Sequence, residues 1–101
     1  MTEQINQEEA FCGVIDYMTD NSRIHLNGAN DSKIDFYLET DEDIKNGIVD
    51  NLNEHGWIIK YDEKASNPET GEEAFHIEME APKDPILVSA AAEIMSEYLD
   101  Y

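Results

Sequence analysis

Lys33-Ile34-Asp35-Phe36-Tyr37-Leu38-Glu39, running straight into Thr40-Asp41-Glu42-Asp43-Ile44, is the stretch that decides the fold. Ile34, Phe36 and Leu38 recur at every second residue, which in a strand puts all three on one side and Lys33, Asp35, Tyr37 and Glu39 on the other. Thr40 then offers a hydroxyl to free helix amides, and the three acids after it complement the positive end of a helix dipole. Ile44, Ile48 and Leu52 continue at helical spacing as one buried stripe. His55 and Gly56 close that helix with a cation-capable residue and a glycine suited to a left-handed cap. A half-buried strand that hands over to an amphipathic helix predicts a sheet covered on one face.

The same reading extends in both directions. Upstream, Ile24 and Leu26 alternate with Arg23 and His25, and Asn27-Gly28-Ala29-Asn30 supplies turn chemistry, which predicts a hairpin. Before it, Thr2 to Thr19 places Phe11, Val14, Ile15 and Met18 on one helical stripe, although Gly13 weakens that helix by about 1 kcal/mol relative to Ala. Downstream come a short apolar strand from Trp57 to Tyr61 and a polar run from Asp62 to Glu73 that contains Pro68 and Gly71. Phe75, Ile77 and Met79 then alternate with His76, Glu78 and Glu80, so the second hairpin is predicted to carry a long acidic tip. Asp84-Pro85 opens a last helix, whose stripe is Leu87, Ala91, Ile94 or Met95, and Tyr98.

The fold class that follows is α+β, one domain over residues 1–101. It is a four-stranded antiparallel sheet with helices on one face, in the order α-ββ-α-ββ-α. The expected core is Phe11, Ile34, Phe36, Ile48, Leu52, Trp57, Ile77, Leu87 and Ile94. A chain of 101 residues has room for one such core, burying roughly 60 to 70% of its unfolded surface.

Charge is the other dominant feature. Twenty-four carboxylates face six basic side chains, a formal charge of −18. The apolar share of 41%, with one Trp, five Tyr and three Phe, is too rich for a disordered acidic tail. Eleven Ile, eight Asn and five Lys to one Arg fit poorly with adaptation to high salt. Cys12 is the one cysteine, so an intrachain disulfide is excluded and a reducing cytoplasm is expected. Met1 to Phe11 lacks the pattern of a signal peptide, and the longest apolar stretch, Ile86 to Ala92, is interrupted by Ser89.

No constellation points to catalysis. Neighbouring acids are too common here to be diagnostic, and an active pair needs one member buried. His25, His55 and His76 are too far apart for a local metal motif. His76, Glu78 and Glu80 share a strand face at steps of about 6.8 Å and read as an ordinary outward face. A nucleophile elbow and a phosphate-cradling glycine loop are both missing from the sequence. Cys12 reads as a small buried hydrophobe. The expectation is a binding protein without enzyme activity, cofactor or metal.

What it binds follows from its field, which repels phosphate backbones and anionic membranes and attracts cationic surfaces. Asp50 and Glu54, like Glu93 and Glu97, stand four apart on predicted helices, where like charges cost about 0.2 to 0.5 kcal/mol per pair. Stability alone does not select such pairs. Residues 41–80 hold the densest charge, and the expected contacts to Lys or Arg of a partner are Asp41, Glu42, Asp43, Asp50, Glu54, Asp62, Glu63, Glu69, Glu72, Glu73, Glu78 and Glu80.

Carboxylates along strands, at about 3.4 Å per residue, can imitate a DNA strand with a phosphate per about 3.4 Å of axis. In this respect the chain resembles, as a class, the acidic phage inhibitors of host defence, the anti-restriction and anti-CRISPR proteins. That resemblance implies a monomeric or homodimeric decoy that occupies the basic groove of a nucleic-acid-binding protein. An immunity protein for a basic nuclease toxin needs the same field. The order of elements and the charge are also similar to those of type III secretion chaperones, which implies a homodimer with exposed apolar grooves. The plainest alternative is an acidic domain whose charge serves solubility alone.

Overall fold

A computed structural model describes residues 6–30 and 32–99. Its elements are α1 (Gln7–Asp20), β1 (Ile24–Asn30), β2 (Lys33–Leu38), α2 (Glu42–Glu54), β3 (Ile58–Ser66), β4 (Glu73–Glu80) and α3 (Pro85–Leu99). This is the α+β order expected, with all strand pairs antiparallel. The strands stand in the order β1-β2-β4-β3. The last strand therefore inserts between β2 and β3, and α2 joins two strands that run parallel to each other.

Each helix starts where a short polar side chain meets free amides. Asn6 Oδ1 accepts from the Glu9 amide at 2.8 Å, and Asp84 Oδ1 accepts from the Ile86 amide at 2.9 Å, with Pro85 as the first helical residue. At α2 the cap is Asp41, whose Oδ1 accepts from the Ile44 amide at 2.9 Å, and not Thr40. The carboxylate brings charge as well as an acceptor to the helix start, which explains the preference. The predicted first helix began at Thr2; residues 2–5 lie outside the described residues. Gly56 ends α2 with φ of 89°, a conformation that favours glycine.

The core lies between the sheet and the helices. Ile34, Phe36 and Leu38 of β2 and Ile77 and Met79 of β4 are fully buried against Met18, Ile48, Leu52, Val88 and Met95. Trp57 is buried too, and its indole nitrogen donates to the Leu87 carbonyl at 3.2 Å, satisfying the ring's one polar group. Phe11 and Leu87, expected in the core, are partly buried at its margin. Val88, Ala91, Ile94, Met95 and Leu99 carry the buried face of α3.

Three further expectations are corrected. Cys12 is exposed, because Ala10, Val14 and Met18 set the buried side of α1 and Cys12 falls outside that stripe. Asn27 to Asn30 is strand, not turn. Asn30 pairs with Lys33, and Gly28 follows a register shift after Leu26, so the polar residues sit at a bulged edge strand where no core demands apolar side chains. The long acidic tip is also shorter than expected, since β3 continues to Ser66 and β4 begins at Glu73. Main-chain pairing with β4 holds Asp62 to Ser66 in strand, and the edge position leaves Glu63, Lys64 and Ser66 exposed.

A second register shift falls between Ile59 and Tyr61. It reverses the alternation of β3, so Ile59 and Asp62 face the helices while Tyr61 and Glu63 face away. Among the described residues no helix is long and apolar enough to cross a membrane.

Candidate functional site

The face of the sheet away from the helices is built from the outward residues of the alternating strands. Across β2, β4 and β3 the register sets Lys33, Glu80 and Ile58 in one row, Asp35, Glu78 and Tyr61 in the next, and Tyr37, His76 and Glu63 in the third, with His25 of β1 beside Tyr37. Among the described residues these positions are half-buried or exposed, unlike the fully buried positions between them on β2 and β4.

Three rings meet at its centre. Tyr37 stacks on His76 with centroids 4.7 Å apart and planes 18° from parallel. Tyr61 meets the same imidazole in a T-shaped contact, with centroids 4.9 Å apart and planes 62° from parallel. His76 Nε2 lies 2.5 Å from Asp35 Oδ1; because a carboxylate accepts, that nitrogen is the donor and the ring faces remain free to stack. Asp35 Oδ2 accepts from Asn27 Nδ2 at 3.1 Å. The Tyr61 hydroxyl donates to Glu63 Oε2 at 2.5 Å. That bond holds the phenol above its ordinary value of 10.0, with burial and the nearby charge acting in the same direction.

Towards the second hairpin the face closes on Glu39. His25 Nε2 sits against Glu39 Oε2 as an ion-pair contact without hydrogen-bond alignment, and Asn67 Nδ2 donates to the same oxygen at 3.0 Å. Asn67 is 1% exposed and also organises the tip, where its Oδ1 accepts from the Glu69 amide and its carbonyl from the Gly71 amide. At the other end, Gly28, Ala29, Asp35 and Glu78 line part of a shallow depression of about 290 Å³.

The acids expected from sequence to touch a partner are divided by the fold. Glu63, Glu78 and Glu80 come together on the open face. Asp41, Glu42, Asp43, Asp50 and Glu54 are exposed on α2, on the opposite side of the sheet. Glu69 and Glu72 lie in the hairpin tip and Glu73 begins β4. Asp62 turns to the helix side and pairs with Lys45 at 2.9 Å. Lys45 is buried, with its ammonium 4.9 Å from the centre of the Phe75 ring.

The open face adds Asp35, Tyr37, Glu39, Tyr61 and His76, none of which the sequence had singled out for binding. The signal was present in the alternation of residues 33–39, whose odd positions are the outward ones.

Among the described residues no group of three or more His, Cys, Asp or Glu is arranged to hold a metal ion. No protein-family model, curated protein or solved structure matches the chain.

Proposed function

We propose that the chain is a non-enzymatic binding protein of the cytoplasm that occupies the basic nucleic-acid groove of a partner protein. The observation that carries this reading is carboxylate left without internal countercharge. Among the described residues, Asp35, Glu39, Asp62 and Glu80 have a His or Lys within ion-pair distance, and the other acids have none. Shape supports it as well. A charge of −18 on a body 48 × 25 × 23 Å is about one charge per 3 Å of length, against one per roughly 1.7 Å of duplex DNA. Such a body attracts the surfaces that DNA attracts and gains from releasing the same repulsion on binding.

The test is retention from a cell lysate on the immobilised protein, with and without excess duplex DNA and at low and high salt. The expected result is a basic nucleic-acid-binding protein that both DNA and salt displace. A partner that stays bound in the presence of DNA excludes occupation of the groove, and a salt-resistant apolar client excludes the electrostatic reading altogether.

A further inference from the structure

We propose that the open sheet face is the docking surface, and that Tyr37, His76, Tyr61 and Glu78 form a receptor for an arginine side chain on a basic protein. This rests on the reading of the chain as an acidic binding protein and adds where the contact lies and which side chain it takes.

The first support is the carboxylate on this face that no base among the described residues engages, Glu63 and Glu78 beside the paired Asp35, Glu39 and Glu80. Asp35, Glu39, Glu63, Glu78 and Glu80 point outward here, against Lys33 and the bulged Lys60, whose ammonium lies 3.5 Å from Glu80. Asp35 and Glu78 stand directly opposite each other, an arrangement that costs a sheet stability unless a cation lies between them. Asp35 is already engaged by His76 and Asn27. Glu78 has no hydrogen-bond or ion-pair partner among the described residues, and it borders the depression at Gly28 and Ala29, which Asn30 and Lys33 also line without pairing with it. A bulge beside a glycine and an alanine leaves that space open.

The second support is aromatic. Two of the three large apolar side chains that are most exposed, Ile58 at 52% and Tyr61 at 40%, lie on this face. Tyr61 neighbours Glu78 across the β3–β4 register and His76 on the diagonal. A ring face next to an unengaged carboxylate suits a planar guanidinium, which stacks on the ring while donating in parallel to both carboxylate oxygens. A lysine ammonium is a compact, strongly hydrated point charge and gains less from the same site. Beside the acids of α2, the Tyr98 ring is packed against Gly47 and its hydroxyl is held by Asn51, so those acids are expected to attract cations without choosing between arginine and lysine.

The test uses octa-arginine and octa-lysine peptides as probes, followed by NMR titration of the full chain. The native protein is expected to bind octa-arginine about two- to five-fold more tightly than octa-lysine, with shifts concentrated in residues 33–39, 58–63 and 76–80. Tyr61→Ala abolishes the preference, Tyr61→Phe keeps it, and Glu78→Gln weakens octa-arginine more than octa-lysine. The double variant Asp50→Asn with Glu54→Gln weakens both peptides alike and leaves their ratio unchanged. Equal affinities in the native protein, a preference that survives Tyr61→Ala, or shifts centred on residues 41–54 would overturn the proposal. If that happens while a DNA-displaceable basic protein is still retained from lysate, the face is wrong and the functional reading stands. If arginine selectivity is present but no such protein is retained, the receptor stands and the groove reading falls.

Discussion

Asp35 and Glu78 face one another directly across β2 and β4, two carboxylates in a register position where unlike charges are ordinarily favoured. Among the described residues only Asp35 is bonded, by His76 Nε2 at 2.5 Å and by Asn27 Nδ2 at 3.1 Å. The sheet is therefore built with a local repulsion at the centre of its open face.

Removing that repulsion should stabilise the fold. Glu78→Gln is expected to raise unfolding free energy by about 0.2 to 1 kcal/mol at low salt, with the gain shrinking as salt screens the pair. Urea unfolding at two ionic strengths measures it. Asp35→Asn should bring no such gain, because an amide offers one acceptor oxygen where the carboxylate accepts from both His76 and Asn27. A loss of stability in Glu78→Gln would mean that its carboxylate holds the sheet together in some other way.

Lys45 and Asp62 give the opposite case. The lysine side chain is 10% exposed and the aspartate 24%, so neutralising the acid leaves an ammonium under the sheet with the Phe75 ring as its remaining neighbour. Asp62→Asn is expected to cost about 1 to 3 kcal/mol. Lys45→Met, which keeps the volume and frees an acid that water can reach, should cost less than about 1 kcal/mol. Thermal unfolding of the two variants decides the order, and a reversed order would place the pair in water rather than in the protein.

Gly47 of α2 lies against the Tyr98 ring of α3. A Cβ there would stand 2.6 Å from Tyr98 Cε1, and Asn51 Nδ2 ties the tyrosine hydroxyl at 2.7 Å and the Gly47 carbonyl at 2.8 Å. Gly47→Ala is therefore expected to destabilise by about 1 to 2 kcal/mol despite its better helix propensity. In a Tyr98→Ala background the sign should reverse, to a gain of up to about 1 kcal/mol. Equal effects in both backgrounds would show that the ring does not set the constraint.

Tyr61 should titrate above 10.0, chiefly because its proton is held by Glu63, with burial and the neighbouring charge adding to the shift. A folded value raised above the unfolded one means that the bond's contribution is fully present below pH 10.0 and is lost as pH rises through the raised value. An NMR titration of the ring should find this, and Glu63→Gln should bring the value back towards 10.0. A tyrosine that titrates at its ordinary value in the native protein would remove the hydrogen bond from the account.

Much of this protein was legible in one dimension. Alternation at Ile34, Phe36 and Leu38 and at Ile77 and Met79, the acid-rich start of α2, and Asp84-Pro85 specify a class of fold because side-chain burial repeats with the period of each element. The same alternation marked Asp35 and Tyr37 as outward residues. What lay beyond it was set by main-chain hydrogen bonds, which leave no pattern in the side chains. They place β4 between β2 and β3, extend β3 through polar residues to Ser66, and shift its register after Ile59. That single shift sends Asp62 inward to Lys45 and Tyr61 outward to His76, so composition determined how much negative charge the chain carries and tertiary pairing decided which carboxylates stand beside the rings.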